Sequence, residues 1–111
     1  MKLPNANLAV VPDEKVTKYL LDEYHPQNKG KAKFYEMIGY NKINPQSLAK
    51  TLHNLAENGT VTEVEPTARG TKYVVEGSIN APNGRFYQII SVWIIQNTEK
   101  EPRLVTAYPK K

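Results

Sequence analysis

The sequence predicts an α+β fold in which three N-terminal helices pack on a four-stranded antiparallel meander sheet. Apolar residues first recur at the 3.6-residue spacing of amphipathic helices, and from Thr60 onward they alternate as in strands. Val, Ile, Thr and Tyr replace straight-chain helix formers at the same point. The 111 residues suit one hydrophobic core, and no repeat or linker interrupts them, so residues 1–111 are predicted to form a single domain.

Capping residues and apolar spacing predict the three helices. The first is expected at about residues 13–23, where acids in the first turn favour a helix start. The second is expected at residues 31–38, because Gly39 suits a C-terminal cap. The third is expected to begin with Pro45 as its first helical residue and to end at Asn58.

Alternating apolar residues and turn signals predict the four strands. They are placed at Val61 to Glu65, Lys72 to Ser78, Phe86 to Gln96 and Arg103 to Tyr108. The third strand carries apolar residues on both faces and should lie centrally in the sheet. Before the helices, the apolar residues 8–11 are interpreted as an edge strand or an extended arm.

Composition excludes several classes of function. The chain has no cysteine, which excludes disulfides, thiolate metal sites and cysteine nucleophiles. Only two histidines are present and no cofactor or phosphate-loop motif occurs, so we expect neither a metal nor a cofactor. No run of 18 apolar residues and no secretory leader is found, which predicts a cytoplasmic protein without a membrane span. The net charge of +4 favours a polyanionic partner.

An acid-free stretch from His25 to Tyr35 is the main candidate for binding. It contains three lysines, Lys29, Lys31 and Lys33, and it leads into the predicted start of the second helix. Because a helix start already carries partial positive charge, the stretch suits a phosphate group. Lys31, at the helix start, is the lysine expected to act. The alternative is a solvated basic loop.

His25 is the candidate general base. The following proline favours an extended backbone, which is expected to hold the ring at the edge of the fold. A neutral imidazole near several cations suits activation of a ribose 2′-hydroxyl. The alternative is a histidine that only ends the first helix. His53, in the third helix, is interpreted as structural or solvent-exposed.

Polar and aromatic side chains in the sheet complete the candidate site: Lys72, Ser91, Trp93, Arg103, Thr106 and Tyr108. Strict alternation places Ser91 and Trp93 on one face of the third strand. It likewise places Leu104, Thr106 and Tyr108 together on the last strand. Clustered hydroxyls would hold a phosphate, and the aromatic rings would stack a base. The alternative is that these residues are ordinary strand formers and core.

Several segments of the chain resemble an uncharacterised family of small bacterial domains. They are Met1 to Ala6, Lys18 to Leu21, His25 to Pro26, Lys31 to Phe34, Gly70 to Tyr73, Ser91 to Ile94 and Pro102 to Pro109. The family occurs alone beside a gene for a small partner protein, as the C-terminal module of polymorphic toxins, and in phage-head-type proteins. At Ser91 the family pattern more often has threonine. In architecture alone, the chain is similar to ribonuclease toxins of the barnase, EndoU, colicin and RelE type.

The resemblance implies a toxin-like, metal-independent endoribonuclease of a toxin–immunity or toxin–antitoxin pair. In this hypothesis His25 takes the 2′-hydroxyl proton, and Lys31 and Arg103 stabilise the charged phosphate. Thr106 and Tyr108 position the scissile group. His25 and Lys31 should therefore lie within reach of Arg103, Thr106 or Tyr108 at one edge of the sheet.

Four further residues are assigned to substrate binding: Lys29, Lys72, Ser91 and Trp93. The expected partners are RNA and a small acidic immunity or antitoxin protein. The alternative is a non-catalytic module that binds nucleic acid or protein, which needs only the positive charge and aromatic side chains for stacking. A structural or assembly domain is a third interpretation.

Overall fold

Helices occupy the N-terminal half of the chain and strands the C-terminal half, in a computed structural model that describes residues 1–111. The helical segments are a 3₁₀ turn (Ala6–Leu8), α1 (Asp13–Lys15), a π-helix (Val16–Leu20), α2 (Lys31–Met37) and α3 (Pro45–Asn58). The strands are β1 (Thr60–Pro66), β2 (Gly70–Asn80), β3 (Phe86–Gln96) and β4 (Arg103–Pro109). The predicted α+β class and the order of elements are confirmed.

The sheet is an antiparallel meander with the order β1-β2-β3-β4. Short turns join successive strands, as the Gly- and Pro-containing connections predicted. β2 and β3 are the two central strands and are the longest, with 11 residues each. The prediction that β3 lies centrally is confirmed.

The hydrophobic core lies between one face of the sheet and the helices. On α3, Leu48, Leu52 and Leu55 are buried at the predicted spacing of four and three residues. They pack in the same cluster as Ile89 and Trp93 of β3. Burying one such side chain stabilises a fold by about 1.5–3 kcal/mol, so this layer holds α3 against the sheet.

The first helix ends three residues earlier than predicted and widens into a π-helix. Its last bond runs from the Leu21 amide to the Val16 carbonyl, over 2.9 Å and five residues. The side chain of Asn28 donates hydrogen bonds to the carbonyls of Tyr19 and Leu20. Because the asparagine occupies these carbonyls, the helix stops where no local sequence signal ends it.

A β-bulge in β4 overturns the predicted alternation of its side chains. Val92 pairs with Thr106 and the next residue of β3 pairs with Leu104, so one extra residue stands between them. Leu104 and Ala107 are both buried, although they are three positions apart. The prediction that Leu104 shares a face with Thr106 and Tyr108 is therefore wrong. Thr106, Tyr108 and Arg103 instead pair with alternate residues of β3, so these three side chains lie on the same face of the sheet.

The apolar segment 8–11 is an extended arm that touches the free edge of β4. Val10 forms a single parallel bridge with Arg103. The Val10 amide donates to the Pro102 carbonyl over 2.8 Å, and the Leu104 amide donates to the Val10 carbonyl over 3.0 Å. The arm covers one end of this edge. The π-helix and α2 contact the other end, at Thr106 to Tyr108.

The ion pair between Glu76 and Lys110 predicts a pH-dependent stability. Their side chains approach to 2.8 Å, and Lys110 with the Thr62 hydroxyl holds the pKa of Glu76 below its usual value. A carboxyl with a lowered folded-state pKa stabilises the fold above its unfolded pKa, and the stabilisation disappears as the pH falls through the folded pKa. We expect the urea midpoint to fall between about pH 5 and pH 3, and to fall less in Glu76→Gln.

The matched control is Glu63→Gln, which removes an exposed glutamate of β1 that forms no ion pair. This variant should keep the wild-type dependence of the midpoint on pH. The same dependence in all three proteins would contradict a stabilising role for the Glu76 carboxylate.

Candidate functional site

Asn28 organises the loop that joins the π-helix to α2. Its side chain is 1% exposed and uses both ends of its amide. Nδ2 donates to the carbonyls of Tyr19 (2.6 Å) and Leu20 (3.2 Å), and Oδ1 accepts from the Ala32 amide (2.9 Å). One side chain thus links the end of the π-helix to the start of α2.

Tyr35 attaches α2 to the edge strand β4. The side chain is fully buried, and its hydroxyl donates to the Ala107 carbonyl over 2.7 Å. Burial raises the pKa of the Tyr35 hydroxyl far above its usual value, so the group stays a neutral donor. Since α2 is held against β4 at this point, the lysine that begins α2 lies beside the last residues of β4.

Tyr19 is the centre of the candidate site. Its ring meets the His25 ring edge-on at 5.0 Å between centroids, and its hydroxyl lies 2.8 Å from the Thr106 Oγ1. The ammonium groups of Lys15 and Lys31 lie 5.4 and 5.5 Å from the ring centroid. The ring thereby holds two cations and an imidazole around one point on the edge of the sheet.

Lys31 lies between the two tyrosines of this region. Its ammonium is 6.0 Å from the Tyr108 ring centroid and donates to the carbonyls of Gln27 and Asn28, each over 3.3 Å. An ammonium has three N–H donors, so one remains for a substrate. The position of Lys31 is therefore fixed, and its charge stays available to an anion.

The structure brings four of the five residues predicted to be catalytic into one place: His25, Lys31, Thr106 and Tyr108. Together with Tyr19 they form what we call the Tyr19 cluster. Sequence reasoning placed Tyr19 only on the apolar side of a helix. The only feature of the sequence that suggests a functional role for Tyr19 is that His25 lies nearby in the chain. This proximity does not distinguish a ring that binds a ligand from a ring in the core.

The imidazole of His25 is held in one tautomer. Its Nδ1 accepts a hydrogen bond from the Gln27 amide over 3.0 Å, so the neutral ring carries its hydrogen on Nε2. In this state Nε2 has no free lone pair and donates a hydrogen bond. The predicted role of His25 as proton acceptor therefore does not fit the geometry, whereas a role as donor to a phosphate oxygen does.

An open groove lies beside His25 and Thr106. Glu14, Lys15 and Lys18 line its other side. Glu14 is the only acid that lines this groove, and sequence reasoning had interpreted it as a helix-start residue. The groove thus offers cations for a phosphate and one carboxylate that can accept a proton.

Arg103 and Lys72 lie outside this groove. Arg103 approaches Glu99 with 3.5 Å between Nε and Oε1, and it pairs with Ile94 at the start of β4. Lys72, on β2, pairs with the same Ile94 across the opposite edge of β3. The two cations therefore occupy one row across the sheet, and Arg103, which was predicted to stabilise the charged phosphate, does not line the groove.

Ser91 and Trp93 are core residues, which corrects their assignment to substrate binding. Both are fully buried. The Trp93 Nε1 donates to the Ser91 Oγ over 2.9 Å, and that hydroxyl donates to the Val75 carbonyl over 2.9 Å. The hydroxyl is present because the indole N–H needs an acceptor when the ring is buried, and neither side chain reaches solvent.

Lys29 reaches the surface next to the Tyr19 cluster. Its backbone has a φ of 52°, in the left-handed region that residues other than glycine rarely adopt. Lys29 and Gly30 together line two surface depressions. Of the four residues predicted to bind substrate, Lys29 is the one that the structure places beside the cluster.

No three His, Asp or Glu side chains gather in an arrangement that holds a metal ion. None of the helices is long and apolar enough to cross a membrane.

Replacing Asn28 by alanine should destabilise the protein and disorganise the Tyr19 cluster. The change leaves the Leu20 carbonyl and the Ala32 amide without these partners and removes one of the two bonds to the Tyr19 carbonyl, and one buried loss costs about 1–3 kcal/mol. We expect a loss of at least about 2 kcal/mol in urea denaturation. The control is Asn97→Ala, which removes one exposed hydrogen bond to the Ala68 carbonyl and should cost far less. Equal losses would contradict the organising role of Asn28.

Comparison with known proteins gives a fold and a family. No curated protein matches the chain. The fold is similar to that of a chain in a solved contact-dependent growth inhibition toxin–immunity protein complex from Klebsiella pneumoniae 342, with a TM-score of 0.72 and 17% sequence identity. The match covers 92% of this chain and 100% of the other, and at this identity it shows the fold alone. The family described as Domain of unknown function (DUF6883) matches residues 2–111, and the chain therefore belongs to that family.

Proposed function

We propose that this domain is a toxin-like endoribonuclease that cleaves RNA without a metal ion. The observation that supports the proposal is the Tyr19 cluster, in which an imidazole, an ammonium group and two hydroxyl-bearing side chains surround one tyrosine. The likeness in fold to a chain of a toxin–immunity complex is consistent with it. RNA is the expected substrate because the ribose supplies its own nucleophile, the 2′-hydroxyl.

The groups of the groove suit transesterification at a phosphodiester. The 2′-oxygen forms a bond to phosphorus while its proton passes to the Glu14 carboxylate. The bond from phosphorus to the 5′-oxygen breaks, and that oxygen takes a proton from a water molecule. The hydroxide so formed takes the proton from Glu14, which restores the carboxylate. The products are a 2′,3′-cyclic phosphate and a free 5′-hydroxyl.

Charge stabilisation falls to His25, Lys31 and Thr106. Nε2–H of His25 donates to one phosphate oxygen, and the third N–H of Lys31 donates to another. The Thr106 hydroxyl bonds to Tyr19 and keeps that ring beside both groups. Donors held in place before the reaction need no reorganisation when charge develops in the transition state.

Induction of the chain in a bacterial host should arrest growth and fragment total RNA. Lys31→Ala and His25→Ala should each lower the cleavage rate about 100-fold, and Glu14→Gln should lower it by a similar or larger factor. EDTA in an assay with purified protein should leave the rate unchanged. The measurement is the cleavage rate of a labelled RNA, with end-group analysis for cyclic phosphate.

The matched control is Lys50→Ala, which removes an exposed lysine of α3 that forms no ion pair. It should cleave like the wild type. Intact RNA and normal growth with the wild-type chain would overturn the proposal, as would equal cleavage by wild type and Lys31→Ala.

A small acidic protein is the proposed partner of the domain. The charge of the groove supports this, since Lys15 and Lys18 line it opposite His25. Coexpression of a small acidic protein encoded beside the domain should restore growth and yield a complex on purification. Replacing Lys15 and Lys18 by glutamate should weaken that complex far more than Lys50→Glu does. Unchanged toxicity on coexpression would contradict the proposed partner.

The second candidate function is non-catalytic binding of nucleic acid. It is favoured by the backbone hydrogen bonds that already engage Lys31 and the Nδ1 of His25. A protein that binds RNA and leaves it intact would support this function. Affinity would then fall gradually with salt and with each lysine removed.

A further inference from the structure

Three surface depressions around the Tyr19 cluster are neighbours, and we call the path along them the channel. The groove beside Thr106 and a second depression share His25. The second depression and a third, which lies between α2 and the end of β4, share Lys29 and Gly30. The channel therefore passes from α1, across the loop that Asn28 holds, to the C-terminal end of β4.

The channel concentrates the positive charge of the protein. The lysines that line it are Lys15, Lys18, Lys29, Lys31, Lys33 and Lys111. Only two acids, Glu14 and Glu23, accompany them. The channel thus contains the entire formal excess of +4, and the rest of the surface is balanced in charge. The net positive charge of the protein thus favours attraction of a polyanion to this path.

Aromatic rings are interleaved with these lysines. Tyr24, in the second depression, is 85% exposed and packs on no other ring. Phe34 and Tyr108 line the third depression together with Lys29 and Lys31. A cationic path with aromatic rings along it is the usual arrangement of sites for single-stranded nucleic acid, because each base offers a face for stacking.

Lys29 occupies a position where its backbone conformation is unfavourable. Its φ of 52° precedes Gly30 at 89°, so the turn contains two residues in the left-handed region. A lysine there lowers stability relative to glycine or asparagine, and it places an ammonium where the second and third depressions meet. This pattern is expected of a residue kept for binding and not for folding.

We propose that the channel binds single-stranded RNA along its length, with Tyr24 stacking on a base next to the cleavage site. This inference rests on the proposed function for the choice of RNA, and it adds the strandedness of the substrate and a stacking residue outside the Tyr19 cluster. A duplex keeps its bases inside the helix and cannot use Tyr24. Its phosphates would still meet the lysines, so duplex binding is expected to be weaker and insensitive to this tyrosine.

The experiment measures binding without cleavage. The probe is a fluorescein-labelled 2′-O-methyl RNA decamer, which lacks the 2′-hydroxyl and cannot be cleaved by transesterification. Its anisotropy is followed with the full chain at an ionic strength of about 0.1 M, for the single strand and for the duplex of the same sequence. We expect the single strand to bind at least about 10-fold more tightly than the duplex.

Two variants outside the Tyr19 cluster separate stacking from charge. Tyr24→Ala should weaken the single strand about 5- to 150-fold and leave the duplex unchanged. Lys29→Asn should also weaken binding of the single strand. It should reduce the slope of log affinity against log salt concentration by about 0.7 and should not lower the stability of the protein. The matched controls are Phe86→Ala, a 70% exposed ring at the start of β3, and Lys50→Asn. Both should bind like the wild type.

The outcomes distinguish this inference from the proposed function. Tighter or equal binding of the duplex overturns the inference, and so does a Tyr24→Ala variant that behaves like Phe86→Ala. Binding as expected without cleavage of natural RNA supports the channel and contradicts the ribonuclease. Cleavage of natural RNA with no preference for the single strand supports the ribonuclease and contradicts the channel.

Discussion

The candidate site depends on the three hydrogen bonds of Asn28. They end the π-helix, begin α2 and leave no polar atom of this buried side chain without a partner. Backbone hydrogen bonds within the ten residues between the two helices add local turns, and ordering each residue costs conformational entropy. Because Asn28 supplies a fixed point in the middle, Tyr19, His25 and Lys31 keep one arrangement.

The second constraint is the attachment of α2 to the sheet through Tyr35. Its hydroxyl reaches the Ala107 carbonyl at the bulged edge strand, where Thr106 and Tyr108 flank the contact. Bulges at sheet edges re-aim neighbouring side chains and are frequent beside functional sites. The buried tyrosine and the bulge together bring the cationic loop to the end of β4.

Two parts of this edge have different proposed roles. The Tyr19 cluster is the reacting centre, and the channel binds the polymer. The Tyr19 cluster has few groups, each held by neighbours, which suits stabilisation of one phosphate. The channel has six lysines and an exposed ring, which suits attraction of a chain of phosphates and bases. The other predicted cations, Arg103 and Lys72, lie in a row across the sheet and are not part of either.

Local patterns along the chain are sufficient to predict the α+β class, the helices α2 and α3 and the four strands, because periodicity and capping are local properties. They also locate the basic stretch around Lys31. Packing between elements determines that the first helix ends at Leu20, that β4 bulges, and that Ser91 and Trp93 are buried. These outcomes rest on contacts between different elements, such as the hydrogen bond from Ser91 on β3 to Val75 on β2, which spacing along one element does not encode. The same holds for Tyr19, whose role appears only where the π-helix, the loop and β4 meet.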